Sequence, residues 1–177
     1  MRLGLKRDTV EVVKHDPNWA GKAAEVVEQL WHIFGTLAVD IQHIGSTAIP
    51  AIKAKPIIDI TVAIWDFELL DELLPALEAS GIDKSPGQLF EDVILFSVDD
   101  ADGKRVYNII VVKHDSKQRQ NYINFRDYMN KFPEKAMAYD ELKSCLSKEY
   151  PKDIIAYMDG KRAFVEGCLF DTNIKTN

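Results

Sequence analysis

Gly45-Ser46-Thr47 closes one apolar run, and Asp59 stands inside the next, flanked by Ile58 and Ile60. Glycine lacks a Cβ, so the backbone at Gly45 can turn sharply and approach a ligand closely. The hydroxyls of Ser46 and Thr47, set beside main-chain N–H groups, suit a phosphate oxygen. A carboxylate within an apolar run is costly unless it is paired or binds a cation, which singles out Asp59. Lys53 and Lys55 lie on the short link between the two runs. These residue types make a phosphate cradle facing one acid.

Two better-known motifs fail on the same residues. A P-loop needs G-x-x-x-x-G-K-[ST], whereas Ile52 precedes Lys53 and Ala54 follows it. Gly45-Ser46 also lacks the G-x-S-x-G of a nucleophile elbow. Each candidate has a structural rival. Gly45-Ser46 equally suits a strand-to-helix turn with a capping serine, and Asp59 a buried acid held by backbone N–H groups or by Lys55. Lys53 and Lys55 would serve as well as solvated link charges. Further along, Tyr157 and Lys161 are one helical turn apart and can reach a phosphate, though such pairs are ordinary on a helix surface. His43, Arg126 and Lys143 sit in apolar surroundings, with core packing, ion pairing or snorkelling as competing roles.

The elements that must position these residues follow from periodicity and punctuation. Val10 to Lys14 is a short β-rich run. Asp16 caps a helix with Pro17 at its first position, and Ala23, Val26, Val27, Leu30, Trp31 and Phe34 form its stripe before Gly35. Leu37 to Ile44 predicts a strand, and Ile57 to Ile64 a second one buried on both faces. Asp66 caps a helix from Phe67 to Ala79 that Gly81 closes. Ser85-Pro86-Gly87 predicts a loop. Val93 to Val98 and Arg105 to Lys113 predict a hairpin around Asp102-Gly103. From Lys117 onward the pattern is helical in three segments. Tyr122, Phe125, Arg126 and Met129 share the first stripe. Met137, Leu142, Cys145 and Leu146 mark the second. The third, capped by Asp153, carries Ile154, Met158, Phe164, Val165 and Leu169. Residues 173–177 are expected to fray.

Bulk composition narrows the function. The 177 residues are 46% hydrophobic and 28% charged, ordinary for a soluble domain able to bury a core. A net charge of −6 argues against broad binding to duplex nucleic acid, although it leaves a local basic pocket open. Cys145 and Cys168 show no metal-ligand spacing and are expected to be reduced core thiols. No signal peptide and no membrane-length apolar run is visible, so a cytoplasmic protein away from membranes is expected.

The stretches His43-Ile44-Gly45-Ser46-Thr47-Ala48-Ile49-Pro50 and Ala54-Lys55-Pro56-Ile57-Ile58-Asp59-Ile60 resemble the GrpB family (UPF0157). The likeness extends to His15-Asp16-Pro17-Asn18-Trp19, Asn124-Phe125-Arg126-Asp127-Tyr128, Tyr139-Asp140-Glu141-Leu142-Lys143 and Tyr157-Met158-Asp159-Gly160-Lys161, nearly the whole chain. That family is placed in the polymerase-β-like nucleotidyltransferase superfamily. Its pattern is a hydrophobic residue, Gly, then Gly or Ser, a linker, and acid-hydrophobic-acid on the next strand, with a third acid from a later strand. Carried over, Ile44-Gly45-Ser46 is the first element and Asp59 the first acid. Carboxylates two apart on a strand share a face and hold Mg²⁺, which activates a hydroxyl and stabilises leaving pyrophosphate. Here the chain departs from the pattern. Thr61 fills the second acid position, and the strand around Val106 to Val111 offers Asn108 in place of an acid.

The resemblance therefore implies an α+β class, with a nucleotidyltransferase-like mixed β-sheet, flanking helices and a helical C-terminal part. One domain would span 1–177, its sheet core over about 10–114 and its helices over about 115–172. It would bind a nucleoside triphosphate with Mg²⁺ and transfer a nucleotidyl group to a small-molecule or macromolecular acceptor. Gly45, Ser46, Thr47, Lys55 and Lys161 would hold phosphates, and Asp59 would be catalytic and on the metal. His43, Thr61, Asn108, Arg126, Lys143 and Tyr157 are accessory candidates. Thr61 favours the alternative of a catalytically inactive nucleotide-binding or regulatory module.

Overall fold

The strand Ile58–Ile64 (β3) carries the organisation of the molecule. Ile58, Ile60, Val62 and Ile64 point to one side and join the main hydrophobic core, while Asp59, Thr61 and Ala63 point to the other, as the two-residue period requires. In the computed structural model, which describes residues 1–86 and 90–175, β3 lies inside a six-stranded sheet. It pairs antiparallel with Ala38–Ile44 (β2) and parallel with Lys104–Lys113 (β6). Val93–Asp99 (β5) and Asp83–Lys84 (β4) extend the sheet beyond β6, and Leu5–Lys6 (β1) pairs with the start of β6.

Helices cover the two faces differently. Asn18–Phe34 (α1) lays Trp19, Ala23, Val26, Leu30 and Phe34 on the apolar face, joined by Leu70 and Leu77. The opposite, more polar face meets Lys117–Lys131 (α3), against which Pro133–Glu149 (α4) and Ile154–Lys175 (α5) pack. Ser116 caps α3 by accepting the Arg119 N–H at 3.2 Å. The link after β2 joins sheet and helices: Ile49 and Ile52 are fully buried among Tyr128, Met129, Ala136, Tyr139 and Cys168. Burying each isoleucine contributes about 1.5–3 kcal/mol, so the link is fixed mainly by what it inserts into the helices.

Several expectations need correction. Val10 to Lys14 is not a strand; Val13 makes one isolated bridge to Ala54, and the N-terminal strand is β1. The Val10 N–H is instead taken by Pro151 O at 2.8 Å, and its side chain packs with Leu146 and Tyr157. The helix expected over Phe67 to Ala79 is split into a 3₁₀ segment, Glu68–Leu73, and a short helix, Leu74–Ala79 (α2). Pro75 explains the break, because it has no N–H to continue the ladder and is tolerated only in a first turn. Helix α1 starts at Asn18, so Pro17 precedes it, with Asp16 Oδ1 accepting the Asn18 N–H at 3.0 Å. Trp31, Met137, Cys145 and Met158, placed on buried stripes by the sequence, are exposed. In α4 the buried stripe is Ala136, Tyr139, Lys143 and Leu146. Cys168 is buried as expected, and both thiols are free. The expected hairpin is present, with Asp100 Oδ1 accepting the N–H groups of Asp102 and Lys104. Gly87, the end of the expected loop, lies outside the described residues. So do residues 176–177 of the segment expected to fray; before them the backbone is helical to Lys175. No described helix is long and apolar enough to cross a membrane.

Candidate functional site

Directly paired residues share a face of a sheet. Ile44 pairs with Asp59, Asp59 with Asn108, and Asn108 with Ser97, so these four form one row across the polar face. Asn108 Nδ2 donates to Asp59 Oδ1 at 2.8 Å. Arg105 reaches Asn108 Oδ1 at 3.4 Å and donates through Nε to Asp99 Oδ1 at 2.6 Å, anchoring the row at its far side.

Immediately after Ile44 the chain turns at Gly45, with φ 69° and ψ −170°, a conformation essentially restricted to glycine. A Cβ there would fall within 3.0 Å of Asp59 Oδ2 and lie 3.1 Å from both Cβ and Cγ of Asp59. The acid thus rests against the bare backbone of the turn. Ser46 opens the 3₁₀ turn Ser46–Ala48 beside it, and its hydroxyl hydrogen-bonds the Tyr139 phenol of α4.

Two ammonium groups complete the arrangement. Lys55, on the link, and Lys161, on α5, both face the buried Tyr157 ring, at 5.8 and 4.4 Å from its centroid. Burial pushes the Asp59 carboxyl above its ordinary pKa, opposed by the Asn108 hydrogen bond and by the charges of Lys55 and Lys161. Burial likewise lowers Lys55, and lowers Lys161 to about 8, where the Lys55 charge adds to the effect and Asp59 opposes it. Asp59, Lys55 and Lys161 each keep partial exposure.

The link is clamped from α4. Asp140 accepts the Lys53 N–H at 2.5 Å and the Lys53 ammonium at 2.7 Å, while the buried Lys143 ammonium donates to Lys53 O and lies 4.9 Å from the Tyr139 ring centroid. Both lysines are therefore committed to holding the link that carries Lys55.

Gly45, Ser46, Lys55, Asp59, Asn108, Tyr157 and Lys161 converge. Others of the expected set do not. Thr47 is buried with its hydroxyl 2.9 Å from His43 Nε2. His43 pairs with Ile60 and so lies on the α1 side of the sheet; burial, then the charge of Arg126, lowers its pKa to about 4 and keeps it neutral. Arg126 donates to Gln42 Oε1 at 2.8 Å and His43 O at 2.9 Å, tying α3 to β2. Thr61 is buried, its hydroxyl donating to Gln42 O at 3.4 Å. Two tyrosines that the sequence placed only on a stripe or in a family-like stretch stand at the site: Tyr139, and Tyr122 of α3, which burial and then the charges of Asp59 and Asp92 push up to about 12. The signals for Tyr139 were its place in the GrpB-like stretch and its spacing of four from Lys143, which put both on one helical face. A cavity of about 410 Å³ opens on the opposite, α1 side of the sheet, among Val26, Leu30, Ile33, Val98 and Ile109. Its lining lacks the charges that mark the Asp59 side.

Mg²⁺ favours octahedral oxygen coordination, usually one or two carboxylates with phosphates and water. Asp59 offers a single carboxylate whose Oδ1 already receives an N–H, and Thr61 spends its hydroxyl on the backbone. Among the described residues no three His, Cys, Asp or Glu side chains form a metal-holding group. With two ammoniums bearing on the one acid, this donor set does not fit a resident Mg²⁺ ion.

The chain is similar to known proteins in fold and in sequence. The Cid1 poly(U) polymerase, in a structure with MgGTP bound, matches with a TM-score of 0.55 over 77% of this chain and 44% of that one, at 12% identity. Likeness at that identity shows the fold alone, a nucleotidyltransferase-like one. The crystal structure of GrpB from Enterococcus faecalis matches with a TM-score of 0.85 and 27% identity, covering 94% of this chain and 99% of that one. The glutamate-rich protein GrpB of Alkalihalophilus pseudofirmus is 32% identical over 170 residues, 94% of this chain and 98% of that protein. The family model described as GrpB protein matches residues 9–170, and the chain accordingly belongs to the GrpB family.

Proposed function

We propose that this chain is a nucleotide-binding module that holds the phosphates of a nucleoside triphosphate and performs no nucleotidyl transfer. The observation that carries this reading is the convergence of the Gly45-Ser46 turn with Lys55 and Lys161 around one acid. Bare backbone at Gly45 lets a phosphate approach, the Ser46 hydroxyl can turn from Tyr139 to donate to it beside the neighbouring amides, and the lysines supply charge. In an acidic chain of net charge −6, such a local positive field draws anions to one place. The reading takes residues 1–177 as one domain, since sheet and C-terminal helices wall the site together. Calorimetric titration with ATP, GTP, CTP and UTP tests it. Binding of at least one, lost in Ser46→Ala or Lys161→Ala proteins that melt normally, is the expected result; no binding by any of the four overturns it.

A second reading, nucleotidyl transfer to an acceptor, is favoured by the fold that this chain shares with Cid1. It requires Mg²⁺ at Asp59 and a substitute for the acids replaced by Thr61 and Asn108. Mg²⁺-dependent pyrophosphate release from any of the four nucleotides, abolished in Asp59→Asn, would establish it over the first.

A further inference from the structure

We propose that Lys55 and Lys161 take the place of a divalent metal, so that the site binds nucleotides in their metal-free form and Mg²⁺ acts against binding. The inference rests on the nucleotide-binding reading above and adds which ionic form of the ligand is recognised.

Three observations lead to it. First, neither ammonium is paired directly with a carboxylate among the described residues. Lys53 has Asp140 at 2.7 Å, and the Lys143 ammonium donates to a backbone carbonyl, but among the described residues neither Lys55 nor Lys161 makes a hydrogen bond or ion pair with a carboxylate. Their partners are the face of Tyr157 and the field of Asp59. A half-buried lysine held this way is stabilised by an arriving anion.

Second, the groups around Asp59 are the wrong kind for a cation. Asn108 aims an N–H, not an oxygen, at the carboxylate, and Arg105 backs Asn108. A divalent ion beside Asp59 would meet two ammoniums and one acid, and like charges in a half-buried site repel more strongly than in water.

Third, the backbone that carries each lysine is held in place. Asp140 and Lys143 clamp the link at Lys53, two residues before Lys55, and the packing of Tyr157 holds the turn of α5 that carries Lys161. Preformed cations avoid the ordering cost that flexible surface lysines incur on binding phosphate. A Mg²⁺-bound triphosphate has part of its charge already neutralised and its oxygens already coordinated, so it offers these lysines less than the free form.

The test is calorimetric titration of the full chain with ATP, GTP, CTP and UTP. It is run with EDTA, with excess MgCl₂, and with NaCl matched to the MgCl₂ ionic strength. Expected is an affinity in EDTA that falls by roughly tenfold or more in MgCl₂ beyond the loss in matched NaCl. Lys55→Gln and Lys161→Gln each weaken the EDTA affinity and shrink the magnesium effect. Asp59→Asn strengthens it by removing a carboxylate from beside the phosphates. Binding that appears only with MgCl₂, or a magnesium effect unchanged in both lysine variants, overturns the inference while leaving nucleotide binding in place. Binding in no buffer overturns the underlying function and this inference with it. Thermal melts of each variant show that the fold is retained, and a second substitution, Lys161→Met, repeats the test should Lys161→Gln melt early.

Discussion

Gly45→Ala is the substitution on which the geometry of the site can be measured most directly. Two separate costs are built into it. Placing alanine at φ 69°, ψ −170° costs about 1–3 kcal/mol in backbone strain. The added methyl also collides with Asp59, whose Cβ and Cγ both lie 3.1 Å from the ideal Cβ position and whose Oδ2 lies closer still. Overpacking of this kind adds about 1–3 kcal/mol. A central sum of about 4 kcal/mol is a large part of the 5–15 kcal/mol that holds a typical domain folded, and in a domain of this size it lowers Tm by about 8–16 °C.

The two costs can be told apart. Gly81 has φ 71° with nothing within 4 Å of its ideal Cβ, so Gly81→Ala carries strain without collision and should cost less than Gly45→Ala. Asp59→Ala removes the carboxylate oxygens, so in the Gly45→Ala background part of the collision disappears. Guanidinium denaturation of the two single variants and the double variant then gives a coupling energy of about 1–2 kcal/mol in favour of the pair. Additivity within about 0.5 kcal/mol would mean the acid does not rest on the turn, and the site as described would be wrong.

Two further outcomes follow from the helical part. Burial lowers Lys143 from 10.5 to about 7, so between those values the unfolded chain holds a proton that the folded chain has released, and stability rises with pH by up to ~1.4 kcal/mol per unit. Lys143→Met should remove the rise between about pH 7 and 8 and about half of it above pH 8, where Lys161 adds an equal slope; above pH 10 the raised pKa of Tyr139 and Tyr157 reverses the sign, and denaturation midpoints across pH 6–11 check each part. In α5, an ideal Cβ at Gly160 would lie 2.6 Å from Leu146 Cδ2, whereas nothing stands within 4 Å at Gly167. Gly167→Ala should therefore gain up to ~1 kcal/mol in denaturant stability and Gly160→Ala none; equal gains would mean α5 does not approach α4 as described.

How far the sequence disclosed this arrangement depended on how local each signal was. The run Ile57 to Ile64 announced a buried strand, and Asp59 within it announced an exception, because both signals lie within a few residues. The β-rich run at Val10 carried an equally local signal and misled. Strand formation needs a partner edge, and Val10 gives its N–H to Pro151, far along the chain. Helix α4 was legible as a helix but not in its facing. Its inner surface meets the link and the Ser46 turn as well as hydrocarbon, so Tyr139 and Lys143 are buried while Met137 and Cys145 are exposed. The pairing of Asp140 with Lys53 spans 87 positions and had no local trace at all.

The substitution that matters most for function is one of charge on an unchanged frame. Fold alone does not specify activity; the groups placed on it do. In the row Ile44, Asp59, Asn108 and Ser97, both neighbours of the acid carry no charge, and Thr61, on the same face, is sealed by its bond to Gln42 O. A frame with several acids in that region would be a cation site that recruits phosphate through metal. With one acid and two lysines the sign of the field is reversed, and on the proposed reading phosphate would be recruited directly. Restoring the opposite sign should therefore take more than one change. Thr61→Asp alone would bury a second carboxylate on the sheet without freeing Asp59 from Asn108 or removing the lysines, and should destabilise the chain without creating Mg²⁺ affinity. Magnesium binding gained by that single substitution, measured by titration of the folded variant, would show that the lysines do not govern the site.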